Sequence, residues 1–221
     1  MKAIIFDAFG TLIKVTKGNS AGVIMKHITD SGAEVEKEAF LKEWKAYYKA
    51  RTLEACGFMT EREIFIARIQ MFYDRYRVHR SAEADADELL AGAFQREAYP
   101  EVKLVLEKLM QSYSVFIGSN TDNDVLESVM RKNDIKVHKV YTSEDLKCYK
   151  PSTDFYYRIL KENNLNPQDV LFVGDSLTDD VIGPKSVGMK TALVDRAKRS
   201  SFAEQDYTFT ELTDLLKITE L

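Results

Sequence analysis

Ala3-Ile4-Ile5-Phe6-Asp7-Ala8-Phe9-Gly10-Thr11-Leu12 opens with four apolar residues, then an acid, then a glycine turn. The run from Ala3 to Phe6 shows no polar alternation, so it predicts a strand buried on both faces. It stops at Asp7, and Phe9-Gly10-Thr11 supplies the turn. Such a strand belongs in the middle of a parallel sheet, and the later sequence offers it partners. Strands are expected at Ser114-Val115-Phe116-Ile117-Gly118, Lys139-Val140-Tyr141, Val170-Leu171-Phe172-Val173 and Thr191-Ala192-Leu193-Val194. Helical patterns at 102–110, 124–133, 152–163 and 179–187 separate them. Strands alternating with helices predict an α/β fold, a doubly wound parallel sheet covered on both faces.

Between the first strand and the rest the texture changes. Phe40, Trp44, Tyr47 and Tyr48, then Ile64, Ile66, Ile69, Phe72 and Tyr76, recur at helical spacing. Breaks at Ser31-Gly32, Cys56-Gly57 and Arg80-Ser81 divide this segment into three or four helices, and Tyr99-Pro100 ends it. Because one strand precedes the helices and the others follow, they form an insertion. The expected domains are an α/β core of residues 1–13 and 99–221 and an all-helical insertion of residues 14–98. The aromatic stripe Phe72, Tyr73 and Tyr76 is expected to be the core of that insertion.

The chain has 221 residues and a formal net charge of −4, with no basic surplus to attract nucleic acid. No apolar run approaches the ~20 residues that span a bilayer, and Asp7 interrupts the N-terminal one. Cys56 and Cys148 have no metal-ligand spacing and suit reduced packing residues. His27, His79 and His138 are scattered, with no partner at ligand spacing. The expectation is a cytoplasmic protein acting on a small molecule, with no nucleic acid or membrane partner, as a monomer or homodimer.

In doubly wound sheets, ligands bind at the carboxyl ends of the strands. Here those ends are polar: Asp7 after the first strand, Ser119-Asn120 after the second, Gly174-Asp175-Ser176 with Asp179 and Asp180 after the fourth. Lys150-Pro151 sits on a loop ahead of a helix. An Asp ending a buried strand suits a nucleophile. Asp7 and Asp175 suit Mg²⁺, which takes one or two carboxylates and keeps waters. A serine hydroxyl and a lysine charge suit a transferring phosphoryl group. Helix capping explains Ser119-Asn120 equally well, and it also explains Asp175-Ser176.

Taken in order, Asp7-Ala8-Phe9-Gly10-Thr11-Leu12, Ser119-Asn120, Lys150-Pro151 and Gly174-Asp175-Ser176 with Asp180 resemble the motifs of the haloacid dehalogenase superfamily of hydrolases. The resemblance covers residues 3–12 and 100–196. It implies a Rossmann-like core with a helical cap, in which Asp7 is the nucleophile and Thr11 and Ser119 contact phosphate. Lys150 would stabilise charge, Asn120 would help bind substrate, and Asp175 would ligate Mg²⁺ with Asp7 and the Phe9 backbone carbonyl. Asp180 would support the metal from behind.

One position departs from the pattern. Phosphatases of this superfamily carry a second Asp, an acid/base, where this chain has Phe9. Asp-Ala-aromatic-Gly-Thr is similar to the L-2-haloacid dehalogenase branch, whose halide leaving group needs no proton. Lys150 with Tyr156, and Trp44-Lys45 in the insertion, are also similar to that branch, so Tyr156 and Lys45 are candidate substrate contacts. That branch uses no metal and lacks an acid at Asp175. The expectation is therefore a Mg²⁺-dependent phosphatase. A metal-free dehalogenase is the alternative, and a weakly catalytic phospho-ligand binder the second.

Overall fold

The computed structural model describes residues 1–15, 18–53, 57–198 and 204–218. The chain divides into two compact units, Met1–Val15 with Arg96–Leu221, and Thr16–Gln95. Strand β1 (Ala3–Phe6) comes first. Helices α1 (Ser20–Asp30), α2 (Lys37–Leu53), α3 (Glu61–Tyr76) and α4 (Ala82–Leu90) make up most of the second unit. Then follow α5 (Val102–Leu109), β2 (Ser114–Ser119), α6 (Asn123–Lys132), β3 (Lys139–Thr142), α7 (Ser143–Leu146) and α8 (Thr153–Glu162). Strand β4 (Val170–Gly174), a π-helical turn (Leu177–Ile182), α9 (Gly183–Ser186), β5 (Lys190–Val194) and β6 (Tyr207–Phe209) complete the regular elements.

The six strands form one parallel sheet in the order β3-β2-β1-β4-β5-β6. Alternate residues of each strand face opposite sides. Ile4 and Phe6, with Val115, Ile117, Leu171 and Val173, pack under α5 and α6. Ala3 and Ile5, with Phe116, Val170 and Phe172, pack under α8, through Phe155, Tyr156 and Ile159. Helices on both faces keep water from β1, which explains its unbroken apolar run. The strand order reverses direction between β1 and β4, the place where such sheets bind ligands.

The helical unit has its own core, with Ile24, Ile28, Phe40, Trp44, Ile69, Phe72 and Tyr73 buried together. A Thr60–Glu63 capping box starts α3, and Arg77 in the left-handed region ends it. The expected aromatic stripe lies in this core, with Phe72 and Tyr73 fully buried and Tyr76 packed against them. The expected break at Gly57 falls between α2 and α3, and Cys56 lies outside the described residues. Among the described residues, no helix is long and apolar enough to cross a membrane.

Two expectations need correction. The helix expected over 179–187 is a π-helical turn followed by the short α9. Strand β6 and the 3-10 segment Leu212–Lys217 extend the core beyond the last expected strand. Leu212 and Leu215 are fully buried there against the α5 side of the sheet.

Candidate active site

Asp7 is the first residue past β1, and its backbone N–H still donates to the Val173 carbonyl at 2.8 Å. The sheet thus holds the acid at the reversal point, between the ends of β1 and β4. Gly10 follows with φ +99°, a conformation that favours glycine. A Cβ there would also stand 2.3 Å from the Asp175 carboxylate. The turn is therefore glycine for two reasons, and the second lets Asp175 lie close beside the Phe9-Gly10-Thr11 turn.

Lys150 is 3% exposed, and its Nζ donates to Asp7 Oδ1 at 2.9 Å and to Asp180 Oδ1 at 2.7 Å. Burial opposes its charge, but Asp180 and Asp7 more than offset this and hold the lysine above its ordinary range. Ser119 Oγ, also buried, donates to the same Asp7 Oδ1 at 3.2 Å. Asp7 Oδ2 receives no hydrogen bond among the described residues. The Asn120 side chain bonds the Lys150 backbone twice, Nδ2 to its carbonyl at 3.0 Å and Oδ1 from its N–H at 2.8 Å. Asn120 thus fixes the lysine loop. Neither Ser119 nor Asn120 caps α6, whose N-cap is Asp122, so the capping explanation fails there.

After β4, Ser176 caps the π-helical turn by accepting from the Asp179 N–H. Asp180 turns inward to Lys150, and its other oxygen accepts from the Ser176 N–H at 2.9 Å. Burial pushes the Asp180 carboxyl up, Lys150 opposes that, and Asp7 adds to it. Asp175 stands at the exposed rim. Lost hydration and then the charge of Asp7 push its carboxyl up to about 6, although water at the rim screens part of this. Asp7, Asp175 and Asp180 each offer a carboxylate oxygen, all within 4.8 Å of one another.

Thr11 is fully buried, and its hydroxyl has no hydrogen-bond partner among the described residues. Tyr156 is equally buried, with its hydroxyl donating to the Asp179 carbonyl at 2.6 Å and its ring against Phe172. The Phe9 ring is half-buried, and the Arg96 guanidinium lies 4.9 Å from its centroid. Lys45 is exposed on α2 of the other unit. Within the core unit, the structure therefore gathers Asp7, Ser119, Asn120, Lys150, Asp175 and Asp180 at the carboxyl ends of the central strands.

Sequence reasoning missed Arg196. Its Nη2 donates to the Thr11 carbonyl at 2.9 Å, Nη1 pairs with Glu101 at 2.8 Å, and the guanidinium lies 3.5 Å from the Tyr99 ring centroid. It braces the Phe9-Gly10-Thr11 turn from beyond the end of β5. A polar residue two positions after a fifth strand was the available signal.

A family model described as haloacid dehalogenase-like hydrolase matches residues 1–188. The chain belongs to the haloacid dehalogenase-like hydrolases. Among curated members, it is 28% identical to (S)-2-haloacid dehalogenase 4A of Burkholderia cepacia, over 89% of this chain and 84% of that protein. It is 24% identical to ribulose-1,5-bisphosphate 5-phosphatase of Halopiger xanaduensis, over 91% of this chain and 88% of that one. The solved L-2-haloacid dehalogenase of Xanthobacter autotrophicus, with chloropropionic acid covalently bound, superposes with a TM-score of 0.73. It is 20% identical, over 100% of this chain and 98% of that one, a likeness of fold. Haloacid dehalogenase-like relatives thus include both a dehalogenase and a phosphatase, so membership establishes a hydrolase and leaves the reaction to the site residues.

Proposed function

We propose that the protein is a Mg²⁺-dependent phosphatase of small phosphorylated metabolites, acting through an aspartyl-phosphate on Asp7. The carboxylate cluster carries this reading. Three acids face one another, with Lys150 as the one cation bonded to them among the described residues. A haloacid would bring a further carboxylate into that negative field, whereas a divalent cation relieves it. The donor set is all oxygen, which fits Mg²⁺. Asp7, Asp175 and the Phe9 carbonyl would hold the ion, with Asp180 behind them. Bound Mg²⁺ would neutralise phosphoryl oxygens.

The residues of the chain then divide the work. Asp7 Oδ2 attacks phosphorus, the ester oxygen departs with its electron pair, and water later cleaves the aspartyl-phosphate to inorganic phosphate. Lys150 and Ser119 hold Oδ1, which fixes the attacking oxygen in place. Lys150 carries positive charge next to the developing negative charge. The Thr11 hydroxyl, without a partner among the described residues, is a donor for a phosphoryl oxygen. Phe9 transfers no proton. General acid help is worth roughly 10²–10⁴-fold, so leaving groups that depart unprotonated are favoured.

Phe9 also supports a second reading, metal-free 2-haloacid dehalogenation through an aspartyl ester on the same Asp7. One paired assay separates the two. Phosphate release from p-nitrophenyl phosphate should require Mg²⁺ and stop with EDTA, with no chloride released from L-2-chloropropionate. Chloride release that ignores EDTA, with no phosphatase activity, would replace the first reading by the second.

A further inference from the structure

The helical unit is rich in paired arginines. Arg75 clasps Glu43 with both terminal nitrogens, Arg80 clasps Asp85, and Arg62 holds Asp87 and Glu83. Arg68, in the middle of α3, is different. It is 7% exposed, and among the described residues it pairs with no carboxylate. Its guanidinium carbon lies 3.8 Å from the Trp44 ring centroid and 4.9 Å from that of Phe65. Of its five N–H donors, one on Nη1 reaches the Trp44 carbonyl at 3.1 Å, and among the described residues the buried Nε has no acceptor. Glu61 is the acid whose charge acts on it most, yet the Glu61 carboxylate accepts from the Tyr48 hydroxyl at 2.5 Å.

We propose that Arg68 is an anion-binding residue of the helical unit, recognising the carboxylate or phosphate group of a small-molecule ligand. Burial without a counter-charge costs several kcal/mol, and it lowers the Arg68 pKa to about 10. The group is still charged at neutral pH. The two rings and the Trp44 carbonyl use part of that charge, and further N–H donors are left over among the described residues. Two aromatic rings hold the guanidinium plane, while Nη2 makes no hydrogen bond among the described residues. A planar, pre-oriented fork with unused donors suits an oxyanion.

Trp44 is the single tryptophan of the chain, so its emission reports directly on the ring beside Arg68. The native protein is titrated with inorganic phosphate and, separately, with acetate, at constant ionic strength set by chloride. No turnover is involved, so the result stands apart from the phosphatase reading. A saturable emission change with at least one oxyanion is expected, and the stronger arm identifies phosphate or carboxylate as the recognised group. Arg68→Met should abolish the change while melting at or above the native temperature. Arg68→Lys, which keeps charge but not the fork, should weaken the apparent affinity roughly tenfold. An emission that never saturates, a response that survives in Arg68→Met, or a lower melting temperature for Arg68→Met would each overturn the proposal. The last result would make Arg68 a packing brace.

Discussion

Replacing Lys150 with methionine keeps the side-chain length and removes the charge that bridges Asp7 and Asp180. Both contacts are short, 2.9 Å and 2.7 Å, and all three groups are buried. At an effective dielectric of about 20, each contact represents roughly 6 kcal/mol of Coulomb energy. Desolvation of the lysine and the acids offsets much of this. Breaking one partner of a buried pair typically costs about 3–5 kcal/mol. For a chain of this size that is a fall in Tm of roughly 6–20 °C. The variant can recover part of the loss by protonating Asp180, whose carboxyl burial already pushes up. In Lys150→Met the folded state then binds more protons than the unfolded state, so stability falls as pH rises through that carboxyl's folded pKa. The gap to the native protein should therefore widen from about pH 5 to pH 8. Lys150→Met/Asp180→Asn should recover a large part of the loss and flatten the pH dependence. Urea and thermal unfolding of the three proteins across that range measure both effects. A loss below about 1 kcal/mol, a gap that ignores pH, or no recovery in the double variant would refute the charge-bridge account.

Asp7→Asn keeps an Oδ1 acceptor for Lys150 and Ser119, so it should fold normally and lose turnover; substantial activity in the folded variant would exclude covalent catalysis by Asp7. Phe9→Asp should accelerate alkyl phosphates selectively while leaving aryl phosphates little changed, because the proton is needed only for poor leaving groups; a leaving-group series on both proteins checks this, and a uniform effect would count against it. In the helical unit, hydrogen bonds from Arg80 hold the Asp85 carboxyl below the ordinary carboxylate range. A lowered folded pKa gives stability that is present above the unfolded value and lost as pH falls. Asp85→Asn should therefore lower Tm at neutral pH and flatten the acid limb of the Tm–pH curve, and an unchanged acid limb would show that the pair contributes nothing there.

The sheet was legible because its central strands are buried on both faces, and unbroken apolar runs such as Ile4-Ile5-Phe6 and Val170-Leu171-Phe172-Val173 leave little else to read. Asp7, Ser119, Asn120 and Asp175 were legible for a related reason, since each stands where an apolar run stops. Strand β6 escaped because Tyr207-Thr208-Phe209 is a short edge strand with too few residues to show a period. The π-helical turn escaped because Leu177–Ile182 keeps an ordinary helical composition. Its wider geometry appears only in the contacts, with Asp180 turned to Lys150 and the Asp179 carbonyl bound by Tyr156. Arg68 carries no distinguishing mark in the sequence. That Trp44 and Phe65 flank it depends on how two helices pack, which one-dimensional spacing does not encode.

The parallel register has a consequence for how the molecule assembles. Ala3 pairs with Ser114 on one side and with Val170 on the other, so β1 meets its first neighbour only when half of the chain exists and its second only much later. The inserted helices need only local contacts and can form early, whereas distant parallel pairings are slow to find. During synthesis, Ile4, Ile5 and Phe6 therefore wait as an unpaired apolar segment, the kind that aggregates or engages chaperones. Asp7 gains its place only when β4 arrives and the Val173 carbonyl takes its N–H. Catalytic competence is thus among the last things this chain acquires, and fragments that end before β4 should hold a folded helical unit without a formed active centre.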